Sequence, residues 1–233
     1  MRTQRVTNQL ILIIAVGIIG GLATHVMGQE ISLDWFPVHL SDHWVYQNEW
    51  KGGESQRPDV TRWTSEETVT NIITIPEGQV VLRRVQSNGS HKGHGYVAYY
   101  GDGNFLVRSD CIYFIGTAWN SGALDPEYLK SLNSGEIAPD LCFPLDPGKQ
   151  WGTRDRPWRV EGMDDRGSSL VPPAPADAIH IVSDHFGSGG RMDIWFERGV
   201  GIVAERYVHN GTFDEYSRTL QRFTSANKNG ATH

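Results

Sequence analysis

The chain has 233 residues, with 21 Lys and Arg against 27 Asp and Glu, a formal charge of −6, and 39% hydrophobic residues. That length is ample for one core or two small ones, so folding does not depend on metal or disulfide staples. The acidic balance argues against nucleic acid as a partner, because a phosphate backbone selects for Lys and Arg.

Arg2 and Arg5 open the chain, an uncharged and almost wholly apolar run covers Leu10–Ala23, and Val26-Met27-Gly28 puts small residues at the cleavage positions before Gln29. Residues 1–28 read as a secretory signal peptide, and the mature chain as exported, periplasmic or extracellular. Leu10–Gly28 is barely long enough to cross a bilayer, so an N-terminal membrane anchor is the alternative. Cleavage removes two Arg and no acid, leaving 19 basic against 27 acidic side chains and no further membrane-spanning run.

The mature chain opens with "FPVHLSDHW", where Phe36 and Pro37 precede Trp44. Short, β-branched runs broken by turn residues then predict strands at 44–50, 68–75, 79–86, 95–100, 105–109 and 112–115. Asn88-Gly89 supplies the positive φ values of a tight hairpin. In "ALDPEYLKSLNSGE", Asp125 caps, Pro126 fits the first helical position, Leu129 and Leu132 line one side, and Gly135 stops a helix of about two turns.

The opening pattern returns in "CFPLDPGKQWG", with Phe143, Pro144 and Trp151 at the same spacing. Asp146-Pro147-Gly148 places Pro and Gly where a type II turn needs them. Further strands are predicted at 179–183, 192–196, 202–208 and 212–223, the last two joined through "HNGT". "YYGDGNFLV" at 99–107 and "WFERGVGIV" at 195–203, the latter carrying Gly199 and Gly201, share aromatics, a Gly and a closing aliphatic-Val pair.

These repeats predict an all-β fold: two similar antiparallel β-units from an internal duplication, forming a barrel-like or sandwich-like domain with one short connecting helix. The first unit covers 29–115, the connection 116–140, the second unit 141–223, and 224–233 a disordered tail. Each Phe and Trp pair is expected to meet across a corner and shut one end of the core, a structural role. Cys111 and Cys142, both exported and bracketing the connection, are expected to form a disulfide.

"FPLDPGKQW" together with "WFERGVGIV" resembles a family of secreted bacterial β-rich proteins of unknown function. The first copy departs from that pattern, with no Gly between Pro37 and Trp44. The resemblance implies export and a β-rich fold, and implies no catalytic residues.

Chemistry-bearing motifs are few. There is no G-x-S-x-G elbow, phosphate-binding Gly loop, H-E-x-x-H or paired C-x-x-C. His39 with His43, His91 with His94, and His180 with His185 are spaced to offer metal ligands only if the fold adds a third; surface imidazoles are the expectation. Asp164-Asp165, Glu66-Glu67 and Asp102 with Asn104 are sequence neighbours, and adjacent carboxylates on a strand point to opposite faces. No catalytic residue, metal or cofactor is assigned.

Three function classes follow. The favoured one is a non-catalytic exported module, with an apolar or peptide ligand between the β-units or a structural role. The second is a carbohydrate-binding surface through Trp50, Trp63 and Trp158, which sit in polar contexts that suggest exposure. The third is a hydrolase without a recognisable motif.

Overall fold

The computed structural model describes residues 35–36, 38–54, 57–89, 103–120, 122–154, 156–163, 170, 173–186, 189–211 and 215–226. The first half runs β1 (His43–Glu54), β2 (Arg57–Ile75), β3 (Gly78–Ser87), β4 (Phe105–Arg108) and β5 (Cys111–Phe114). A connection follows with β6 (Trp119–Asn120), β7 (Ala123–Leu124) and helix α1 (Pro126–Ser134). Then come β8 (Leu141–Cys142), β9 (Gln150–Thr153), β10 (Arg156–Met163), β11 (Ile179–Phe186), β12 (Gly190–Glu197), β13 (Gly201–His209) and β14 (Glu215–Thr224). Pro37, His91, His94, Asp102, Asp164, Asp165 and the strand expected at 95–100 lie outside the described residues.

Apart from the small β6–β7 pair, these strands make one 12-stranded antiparallel sheet, in the order β8, β5, β4, β3, β2, β1, β14, β13, β12, β11, β10, β9. The β1–β14 pair is its centre, and each half meanders outward from it. The sheet curls until its edges meet as a nearly closed barrel: Trp151 Nε1 on β9 donates to Asp140 O, beside β8, at 3.1 Å. The loop between β8 and β9 is pinned by Phe143 N donating to Asp110 O at 2.8 Å and Lys149 Nζ to Phe143 O at 2.6 Å. Cys111 and Cys142 face each other across β5 and β8 and are disulfide-bonded. Leu141–Cys142, given by sequence to the second unit, thus pairs with the first half, and the tail is held as far as Ala226, whose N–H donates to Asp42 at 3.1 Å.

Eight strands already enclose a space that side chains just fill, so a wider barrel needs large residues inside it. Trp44, Trp158, Phe105, Phe143, Phe196 and Arg218 are accordingly among the largest fully buried side chains. A second apolar cluster lies outside the barrel, where Leu132 of α1 packs with Val80, Leu106, Ile115 and Leu124. The helix follows its sequence rules closely. Asp125 accepts from Glu127 N and Tyr128 N, Pro126 is the first helical residue, and Gly135 is the C-cap.

Two stretches depart from the predicted strands. The strand expected from 68 begins at Arg57, because the inward positions of its first half are Trp63, Ser65 and Glu67, a pattern without apolar alternation. Strands β9 and β10 carry Gly152, Pro157 and Gly162, which read as loop. Asn88 makes no simple hairpin: its Oδ1 accepts from Thr64 N at 2.8 Å and its own N–H donates to Thr64 O at 3.1 Å, tying the end of β3 to β2.

Candidate functional site

The repeated motifs meet at one end of the barrel. Phe36 and Trp44 stack with centroids 6.2 Å apart, as the corner argument expects. Trp44 continues onto Phe223 at 5.2 Å, and its Nε1 donates to Val200 O at 2.8 Å, inside the "WFERGVGIV" hairpin. The second signature packs differently. Phe143 stacks on Trp35 at 6.1 Å and lies 5.5 Å from Phe196, while Trp151 stacks on Trp158 at 6.4 Å. The two copies therefore build one aromatic plug between them, rather than two separate corners.

Gly201 shows why the hairpin needs its glycine. Its φ is +97°, and a Cβ there would stand 2.8 Å from the Phe36 ring, so a side chain is excluded by both backbone and space. Gly199, also at positive φ, donates its N–H to Trp35 O at 3.2 Å. The motif is a socket for the Trp35-Phe36 segment.

Beside the plug a groove of about 420 Å³ opens to solvent. Trp35, Leu145, Pro147, Met163, Ile179 and Phe196 supply its apolar surface; Asp146, Asp177, Glu197 and Arg198 add charge. Arg198 sits over the Trp35 ring at 5.4 Å, a cation–π contact that fixes the indole at the mouth. Met163 is 71% exposed, which is unusual for so large an apolar side chain beside a cleft.

Deeper in the barrel the apolar core gives way to charge. Arg218 Nη1 lies 2.5 Å from Glu67 Oε1 and Arg218 Nε 2.5 Å from Glu205 Oε2, while Arg83 Nη1 lies 2.5 Å from Glu67 Oε2. Glu67, Glu205 and Arg218 are at most 1% exposed. Burial alone would lower the Arg218 pKa, but Glu205 and Glu67 reverse this and hold it well above its ordinary value. Arg218 also covers the Tyr46 ring at 4.3 Å, and Tyr46 OH donates to Ile202 O at 3.0 Å. Burial, then Glu67, raises the Tyr46 pKa, so this hydroxyl stays a neutral donor. These charged and aromatic side chains occupy the interior, and the groove at the barrel's end is the candidate site.

No family model and no curated protein matches the sequence. Among solved structures the chain is similar to a Bacteroides fragilis protein with a YmcC-like fold, at 10% identity and a TM-score of 0.36, covering 82% of this chain and 99% of that one. It is also similar to a Parabacteroides distasonis protein described as a lipoprotein, at 12% identity and a TM-score of 0.38, covering 81% and 97%. A LolA superfamily protein of Nitrosomonas europaea follows at 6% identity and a TM-score of 0.21, covering 89% and 96%. Likenesses this distant say nothing about a ligand, and the chemistry of the groove has to come from its own side chains.

The tryptophans expected to be exposed are not. Trp50 is 9%, Trp63 8% and Trp158 1% exposed, so no solvent-facing row of these rings exists for a sugar. The polar neighbours that suggested exposure occupy the other face of each strand. Glu49 and Lys51, flanking Trp50, pair with each other, and Glu49 also pairs with Arg62, outside the barrel. Sequence reading missed Trp35, Met163 and Ile179, which have no shared motif and come together only through the sheet's curl.

Several of the titratable residues singled out in the sequence have structural partners. Glu66 and Glu67 sit inside β2, not before a strand, and on opposite faces: Glu66 meets His43 outside at 3.2 Å, and Glu67 joins the buried layer. His39, in the turn before β1, contacts Asp42 at 3.1 Å, and that buried carboxylate also accepts from His39 N. Among the described residues no group of three His, Cys, Asp or Glu is placed to hold a metal ion, and no helix is long and apolar enough to cross a membrane.

One cluster on the outer face gives a pH prediction. Asp193 contacts His180 at 2.7 Å and Arg191 at 2.8 Å, and His180 stacks on Trp195 at 4.9 Å. Burial works to raise the Asp193 pKa, but the hydrogen bonds from His180 and Arg191 outweigh it and bring it to about 2. A carboxylate depressed on folding stabilises above its unfolded value and loses that contribution as pH falls through the folded one. Asp193→Asn should therefore cost about 2 kcal/mol at pH 6, with the gap to the parent closing between about pH 4 and pH 2. Denaturant titrations across that window check it; a gap that stays constant with pH would assign the cost to geometry instead of charge.

Proposed function

We propose that this protein is an exported, non-catalytic binding module whose ligand lies in the groove beside Trp35. The observation that carries the reading is convergence. The Trp35-Phe36 segment, the Leu145–Pro147 turn and the Phe196–Arg198 hairpin arm all end at this groove, so the motifs that distinguish the sequence also build its mouth. Its apolar surface suits an apolar small molecule or the side chain of a peptide. Export is read from the leader at 1–28.

Binding of N-phenyl-1-naphthylamine, a fluorescent apolar probe, tests the assignment. Met163→Asp should weaken binding about tenfold by bringing a charge to an apolar contact, whereas Met163→Leu should leave it nearly unchanged. Met163 is exposed, so both variants should keep the parent's melting temperature. Equal binding by the Asp variant and the parent would remove the groove as the site.

A further inference from the structure

The barrel is nearly closed, and what lies along its seam forms a second surface. Among the described residues strand β8 pairs with β5 alone and β9 with β10 alone, so the sheet's two edges face one another without pairing. A cleft of about 340 Å³ lies between them, walled by Phe114, Ile137 and Trp158 and carrying Glu136, Asp140 and Thr153. Tyr128, Glu136 and Ile137 also border a shallower depression of about 670 Å³ that runs over α1 past Asp125 and Glu127. The two form one continuous groove.

Its charge is one-sided. Asp125, Glu127, Glu136 and Asp140 line the groove, and among the described residues no Lys or Arg does. Lys130, on the same helix, lies 3.9 Å from Glu127, but both side chains are about four-fifths exposed and screened by water. Two of the acids serve the fold: Asp125 caps α1, and Asp140 Oδ2 accepts from Phe114 N at 2.8 Å. Glu127 and Glu136 are exposed and left to face a partner. Burial, with Asp140 beside it, pushes the Tyr128 hydroxyl up to about 12, making it a neutral donor between the two halves of the groove.

We infer that the seam groove binds an extended, positively charged segment of a partner protein. Sheet edges offer main-chain groups to an extended chain, the aromatic wall takes an apolar side chain, and Glu127 and Glu136 take Lys or Arg. The register is short, because Gly152 in β9 has φ +98° and breaks the edge after two residues. Contact is therefore a few residues long and leans on charge, which predicts modest, salt-sensitive affinity. This site is separate from the groove beside Trp35 and stands or falls independently of it.

The test uses the mature protein and two labelled heptapeptides, one alternating Lys with Val around a central Phe, the other with Glu for each Lys. Anisotropy should show the Lys peptide binding at low salt, at least tenfold weaker binding in 0.5 M NaCl, and no binding of the Glu peptide. The double variant Glu127→Lys with Glu136→Lys should lose the Lys peptide while keeping the parent's circular dichroism, and bound peptide should shift backbone amide resonances of 136–140 and 150–153. Equal binding of both peptides, retention by the double variant, or shifts confined to 145–147 and 196–198 would each overturn the proposal. So would the same resonances responding to a soluble oligosaccharide and not to the Lys peptide.

Discussion

Replacing Arg218 with Leu should destabilise the fold by about 3–5 kcal/mol, because it strands two carboxylates in the interior. Glu67 and Glu205 both lie 2.5 Å from this guanidinium and neither is exposed, so bulk solvent cannot take its place. Arg83 also reaches Glu67, but with Arg218 gone one Arg cannot neutralise two acids. The larger cost lies in the charges left behind, not in the bond removed. A variant with Leu at 83 as well as at 67, 205 and 218 should therefore recover much of the loss, since keeping Arg83, whose side chain is 3% exposed, would strand that cation in turn. Guanidinium titrations of both variants decide the matter, and a single variant within 1 kcal/mol of the parent would mean that the layer contributes little to stability.

Trp44→Ala should also cost about 3–5 kcal/mol, and clearly more than Trp151→Ala, although the two occupy matching places in the repeated signature. Trp44 is 2% exposed, stacks on Phe36 and Phe223, and donates to Val200 O. Trp151 is only partly buried and lies at the seam, with Trp158 on one side and Asp140 O as its acceptor. Equal midpoint shifts for the two substitutions would contradict this ranking and restore two equivalent corners.

Much of the local structure was readable from residue chemistry, because capping and turn rules act over a few residues. Asp125 and Gly135 bound α1, Lys149 N closes the Asp146-Pro147-Gly148 turn onto Asp146 O at 3.0 Å, and Cys111 meets Cys142. Where reading failed, the cause was the barrel's width. An interior needing an Arg and Glu layer puts Glu67 and Ser65 at inward positions, and this hides the first half of β2. The same alternation misled the reading of Trp50, Trp63 and Trp158, since charged residues beside a buried ring simply face outward. The groove was half legible: its motif turns could be picked out, but Met163 and Ile179 reach it from β10 and β11 only after the sheet has curled.

The central β1–β14 pair joins the first strand to the last, and Tyr216 OH donates to Asn48 Oδ1 across 168 residues of chain. Most of the sequence is thus one loop that must close before its middle gains both neighbours, a high-contact-order route that slows folding. Until β14 arrives, Trp44, Tyr46 and Glu67 lack the Arg218 and Phe223 contacts that complete their surroundings. A chain delivered from its N-terminus outward would therefore stay pliable during passage and commit to its fold only once its last strand had emerged.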